Sequence, residues 1–420
     1  MQKNIKITLS FTYFIFIGEL MVAQQLVKRP FPNHVKYAAD VIEPNHVSQK
    51  QLDDSVRSFY VKWKERYLND DAGEGQYYIW AEGAAGSNKK CVSEGQGYGM
   101  MIVSFMAGYD TLAQKIYDGL FKYYKQHPGK KSPFLMAWAQ NNFFKNVDGS
   151  SAADGDMDIA YSLLLANVQW GTDGSINYLK EAQSLIAAIK QEEINAKTFS
   201  VLLSNSIEAD SKDYFDMRSS DFMPAHFKVF RDATNDGLWD KVINSNYRLF
   251  SFLQNKYSAD AGLLPDFIQH INTSPTPSIP NYLESKYDGK YNYNACRVPW
   301  RIATDYIING DIRSKAIVEK INKWIKETTQ NNPDNISAGY TLEGDDIKSR
   351  NFEAMSFIAS FAVAAMVDPK HQVWLNKLWD YIVGFDLDQY DYYDNSIKMI
   401  GLIILSGNYW APAAREFLKN

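Results

Sequence analysis

Apolar residues recur along this chain at helical rather than strand spacing. From Gln51 to Leu68, the residues Val56, Phe59, Tyr60, Trp63 and Tyr67 fall on one side of a helical period, with Ser48 or Gln51 near its start. The same periodicity predicts helices over 95–108, 111–126, 155–170, 176–192, 236–255, 299–309, 312–327, 351–367, 371–384 and 394–406. Strand-like runs are few: Tyr77 to Ala81 and Phe199 to Leu203. Helices that follow one another without intervening strands exclude a doubly wound sheet and predict an all-α fold. Some of them, such as 99–108, 158–168 and 354–366, are apolar all round, whereas 111–126, 177–192 and 312–327 carry Lys and Glu on one face. The first kind is buried on every side and the second faces water. Their alternation predicts an inner ring of helices inside an outer ring, an α/α barrel.

Composition narrows this picture. A net charge of −5 on 420 residues gives no electrostatic reason to expect a nucleic-acid or membrane partner. Aromatic residues make up 14% of the chain, which suits flat sugar faces and equally suits a thick helical core. Residues 1–23 carry Lys3 and Lys6, an apolar stretch from Ile7 to Gly18 and a small residue at Ala23, the pattern of a secretory signal peptide. A secreted protein, extracellular or periplasmic, is therefore expected, with residues 24–420 as a single barrel domain. The stretch Thr273-Ser-Pro-Thr-Pro-Ser-Ile-Pro280 reads as a surface loop rather than a linker. The two cysteines, Cys91 and Cys296, allow one disulfide but serve as well as small buried apolar residues. The six histidines are scattered, so neither a metal site nor any other cofactor is expected, and the chain is expected to act as a monomer.

Candidate chemistry gathers at three places. Glu94, in Ser93-Glu94-Gly-Gln-Gly-Tyr98-Gly-Met100, stands where a Gly-rich segment turns into an apolar helix. A carboxyl there is either partly desolvated, with a raised pKa, or simply the acidic residue favoured in a first turn. Asp154, Asp156 and Asp158 crowd the mouth of the next apolar helix. A calcium loop fails, because Ile159 and Leu165 stand where Gly and Glu are required. Helix capping accounts for one or two of the three. Farther on lie Asp266, Glu284 and Asn294-Ala-Cys-Arg297-Val-Pro-Trp300-Arg301, whose two arginines are one helical turn apart and suited to pairing with those carboxylates.

Together, Ser93-Glu94-Gly-Gln-Gly-Tyr98-Gly-Met100, the Ala153-to-Trp170 segment and Ala295-Cys296-Arg297-Val-Pro-Trp300-Arg301 resemble glycoside hydrolase family 8, from about residue 30 to the C-terminus. The resemblance implies an (α/α)6 barrel and an inverting endo-hydrolase of β-1,4-linked glycans. It makes Glu94 the general acid and Asp154 a residue that positions the sugar, with Asp156 a further candidate. One branch of the family has its base, an aspartate, where this chain has Asn294, which cannot take a proton from water. The branch this chain resembles more closely places a glutamate on an upstream loop. That residue is Glu284, and Asp266 is the reserve. Because that branch is rich in chitosanases, chitosan is the expected substrate. A β-1,4- or mixed-linkage β-glucan is the alternative, and an inactive glycan-binding barrel a second one. The acid and base should stand about 6.5–9.5 Å apart, and the polar loop 270–290 should be mobile. Tyr98, Trp138, Tyr293, Trp300 and Tyr340 are candidate sugar platforms. Asn294, Arg297 and the carboxylates Glu82, Asp148, Asp221, Asp266, Asp391 and Asp394 are candidate polar contacts, and Arg218 to His226 resembles a subsite-forming stretch.

Overall fold

A computed structural model of the protein describes residues 27–83, 89–350 and 354–417; the expected leader, 1–23, lies outside them. Among these residues are twelve α-helices: α1 (Gln49–Tyr67), α2 (Ser93–Phe105), α3 (Ala113–Gln126), α4 (Ala153–Trp170), α5 (Tyr178–Glu192), α6 (Pro224–Thr234), α7 (Leu238–Tyr257), α8 (Val298–Asn309), α9 (Ile312–Thr328), α10 (Met355–Ala365), α11 (Gln372–Gly384) and α12 (Tyr392–Leu405). The even-numbered helices close a ring, each packing on the next from α2 through α4, α6, α8, α10 and α12 back to α2. Each odd-numbered helix packs outside it: α1 on α12, α3 on α2, α5 on α4, α7 on α6, α9 on α8 and α11 on α10. The result is the expected (α/α)6 barrel.

Sequence explains the two rings. Every residue of α4 and of α10 is buried, so neither helix has a solvent face. Outer helices bury one stripe; α3, for instance, buries Ile116, Tyr117, Leu120, Phe121, Tyr123 and Tyr124 and leaves its lysines outside. Gly95, Gly97 and Gly99 of the Gly-rich segment lie inside α2, and such glycines set how closely inner helices approach. A Cβ on Gly97 would come within 2.7 Å of Asp158 Cβ, and one on Gly155 within 2.4 Å of Ser93 Oγ. Only hydrogen fits at that crossing of α2 and α4.

Two expectations are corrected. Helix α6 was not anticipated, yet it closes the ring between α4 and α8. The run from Phe199 to Leu203 is no strand: Phe199 has a φ of 58°, and Val201 makes one isolated bridge with Ile194. The run from Tyr77 to Ala81 does contribute a short antiparallel pair, Tyr78–Ile79 with Leu68–Asn69. Both cysteines are buried and unpaired, as small apolar residues.

Candidate active site

The first turns of α2, α4 and α12, with the segment leading into α8, surround one cavity of about 440 Å³. Helix N-termini carry unpaired backbone N–H groups and partial positive charge, so acidic side chains are favoured there. Glu94 stands in the first turn of α2 and Asp154 in that of α4.

Arg297, which is 2% exposed, ties them together. Its Nη1 donates to Glu94 Oε2 at 2.5 Å and to Asp154 Oδ2 at 2.7 Å. Its Nη2 donates to Ser220 Oγ at 2.9 Å and to Asn294 Oδ1 at 3.0 Å. Glu94 Oε1 accepts from the Tyr392 hydroxyl at 3.0 Å. Two carboxylates thus compete for one guanidinium nitrogen, and their ionisation separates. Burial pushes Glu94 up to about 7, with Asp154 adding to the rise against the pull of Arg297. Burial opposes the charge on Asp154 too, but Arg297, Arg218 and the N–H of Gly155 outweigh it and hold that carboxyl down at about 2.

Glu284 also lines this cavity, from the loop that precedes α8. Its side chain is 46% exposed; Oε2 accepts from Asn294 Nδ2 at 2.7 Å and Oε1 from Arg218 Nη2 at 3.3 Å. The loop is shaped from within. The Asp288 carboxylate accepts the backbone N–H groups of Leu283, Glu284 and Ser285 at 2.7, 2.9 and 2.7 Å. Gly289 lies so close to the Ser278 carbonyl that a Cβ would stand 2.1 Å from its oxygen. Glu284 and Glu94 share the cavity without touching, separated by the Arg297 guanidinium and the Asn294 amide.

Trp138 and Tyr293 line the cavity as expected of sugar platforms, each half-buried. The indole N–H of Trp138 donates to Asp148 Oδ2 at 2.9 Å, and Lys89 Nζ stands 4.1 Å from its ring. Other expectations are corrected. Tyr98, Trp300 and Tyr340 are core residues: Tyr98 packs against Trp300 at 5.9 Å, and Tyr340 against Trp324 at 4.9 Å. Asp156 is fully buried, accepts the Met136 N–H at 2.8 Å and faces Glu193 rather than the cavity. Asp266 is turned away from the cavity and accepts the N–H groups of Asn292 and Ala295 at 3.0 and 2.7 Å, so it shapes the turn before α8 and is no reserve base. Asp221 is fully buried beside Arg218. Glu82 pairs with Arg66, while Asp391 and Asp394 do line the cavity.

Arg218, from the expected subsite stretch, does line the cavity, whereas sequence reasoning missed Lys89, Tyr392 and Tyr393. The last two carried a signal, since Tyr390-Asp-Tyr-Tyr393 crowds aromatic rings at the entrance of an inner helix.

The chain matches the domain described as glycosyl hydrolases family 8 over residues 52–407. It is 43% identical over 383 residues to a beta-glucanase of Niallia circulans, covering 91% of each protein. It is 39% identical over 404 residues to an endoglucanase of Bacillus sp. (strain KSM-330), covering 92% of this chain and 83% of that one. The apo structure of a beta-1,3-1,4-glucanase from Paenibacillus sp. X4 superposes with a TM-score of 0.87 at 42% identity, covering 91% of this chain and 99% of that chain. With the family domain matched over residues 52–407 and the barrel shared across nearly the whole chain, the chain belongs to glycoside hydrolase family 8.

Proposed function

We propose that the protein is an inverting endo-β-glucanase that hydrolyses β-1,4 bonds in β-glucans, mixed-linkage chains included. Glu94 is the general acid and Glu284 the general base. The observation that carries this reading is the split ionisation around Arg297. Glu94, held up at about 7, keeps a proton to give to the leaving oxygen, while Asp154, held at about 2, stays charged beside the sugar that is cleaved. Glu284, open to solvent and bonded to two donors, is suited to take a proton from water on the opposite face.

A glucan fits better than the chitosan expected from sequence. The aligned relatives named above are a beta-glucanase, an endoglucanase and a beta-1,3-1,4-glucanase. The amino-terminal pattern supports export, which suits a polymeric substrate.

The test is reducing-end release on mixed-linkage β-glucan, a soluble cellulose derivative and chitosan, run beside Glu284→Gln, with the anomer of the first product followed by NMR. Activity on the two glucans, inverted product and loss of rate in the variant are expected. Activity on chitosan alone would overturn the substrate, and a near-native rate in Glu284→Gln would overturn the base.

A further inference from the structure

Asn294 occupies a position where a carboxylate would be the obvious acid–base residue, and its amide is committed on both sides. Arg297 has only donors to offer, so the Asn294 atom 3.0 Å from Arg297 Nη2 must be the carbonyl oxygen. That orientation leaves Nδ2, a donor, 2.7 Å from Glu284 Oε2. The amide cannot flip without setting donor against donor at Arg297 and acceptor against acceptor at Glu284. It is also held from behind. Asn294 is 9% exposed, its backbone carbonyl accepts from Arg297 Nε at 3.4 Å, and the turn around it is drawn together by Asp266 through the N–H groups of Asn292 and Ala295.

Glu284 is the reverse case, a side chain nearly half exposed on a loop. Asn294 gives it its shorter contact; Arg218 Nη2 stands farther off at 3.3 Å. We propose that Asn294 is a positioning residue, which aims the Glu284 carboxylate at the attacking water and fixes it relative to Glu94 through Arg297. This rests on Glu284 being the base. A charge-assisted bond from a rigid donor selects one rotamer of an exposed carboxylate. An aspartate at 294 would instead set a third carboxylate against Arg297 and a like charge against Glu284. Asparagine is therefore the side chain that lets a loop glutamate serve as base in this cavity, rather than the mark of a lost one.

The experiment uses the enzyme on mixed-linkage β-glucan and compares Asn294→Ala, Glu284→Gln and the double variant, with kcat and KM resolved and thermal melts for each. For Asn294→Ala, kcat should fall about ten- to a hundredfold, as expected for a mis-aimed catalytic group, with KM changed less than about threefold. In the Glu284→Gln background the same substitution should cause no further loss. Two outcomes overturn the proposal while leaving Glu284 as base: a kcat of Asn294→Ala within about threefold of the parent, or a full additional loss in the double variant. A near-native rate in Glu284→Gln would instead bring down the assignment of the base itself. A melt lowered in Asn294→Ala with kcat of the folded enzyme unchanged would make Asn294 a fold residue only, which also overturns the proposal.

Discussion

Two ion-paired rungs join α4 to the segment around α8, and they use the same residues at the same spacing. In the upper rung, Arg297 binds Asp154; one turn below, Arg301 binds Asp158. The lower rung is balanced. Arg301 donates to both oxygens of Asp158 at 2.7 and 2.5 Å, and the third member, His226, stands 3.0 Å from Oδ1 and stacks on Tyr161 at 3.9 Å. Burial opposes the charge on Asp158, but Arg301 and His226 hold its carboxyl below the ordinary range. The upper rung is unbalanced, because a second carboxylate, Glu94, competes for Arg297. The surplus acid is the one whose pKa rises into the useful range, and of the two carboxylates on Arg297, both of which line the cavity, it is the more exposed, 16% against 6%. Reactivity here comes from a shortage of cations, and stability from a match.

Removing the surplus proton donor should have the largest effect. Glu94→Gln keeps the shape and can still bond Arg297 and Tyr392, so it should melt near the parent. It should lose about 10³-fold or more in kcat on mixed-linkage β-glucan, the upper part of the range for a missing general acid. A loss of less than tenfold would remove Glu94 from the role. The lower rung should respond in the opposite way. Asp158→Asn leaves the Arg301 guanidinium buried without a counter-charge, which costs about 3–5 kcal/mol of stability. Denaturant unfolding would read that cost, and the folded fraction should keep most of its activity.

Sequence alone could not separate the two rungs. Asp154, Asp156 and Asp158 are alike in a sequence, and Arg297 and Arg301 are alike too. Which pair meets the cavity depends on where the inner helices begin in space. The barrel was legible because apolar-all-round helices are rare outside a buried ring, and α2, α4, α8, α10 and α12 are nearly of that kind. Helix α6 was missed for the complementary reason: it is short, and its buried Phe227, Phe230 and Ala233 alternate with Lys228, Arg231 and Asp232. Pro224 at its first position was the signal available. The aromatic candidates divided by burial, which no local pattern shows. Trp138 and Tyr293 reach the cavity, whereas Tyr98 and Trp300 pack on each other in the core.

The imbalance in the upper rung also sets a pH dependence. As the proposed general acid, Glu94 has to hold its proton, so kcat/KM should fall as pH rises through about 7, approaching tenfold per unit beyond it. Glu94→Gln should flatten that alkaline limb in its residual activity. An alkaline limb that already begins near the ordinary carboxyl range, about 4.3, would mean that Arg297 controls Glu94 more strongly than burial does.

A third cluster extends the comparison to no cation at all. Asp156 and Glu193 are both fully buried and face one another, and neither has a Lys or Arg partner among the described ion pairs. Each keeps one oxygen, Oδ2 and Oε2, that no donor among the described residues reaches, while the other oxygens accept from the Met136 N–H and the Ser151 hydroxyl. Burial and mutual repulsion push Asp156 well up, and burial pushes Glu193 up to about 8. The folded protein therefore holds a proton that the unfolded chain, with ordinary carboxyl pKa values, releases at lower pH. Between the unfolded pKa and about 8 the unfolded state binds fewer protons, so stability falls as pH rises through that window. The contribution is complete below the unfolded value and is gone above about 8. Glu193→Gln has no proton to lose, and its amide can donate to Asp156. Its stability from pH 6 to 8, measured by urea unfolding, should decline less steeply than that of the parent, by about 1 kcal/mol per pH unit. Parallel slopes would mean that the pair shares no proton, and the link between missing cations and raised carboxyls would then hold only at the cavity.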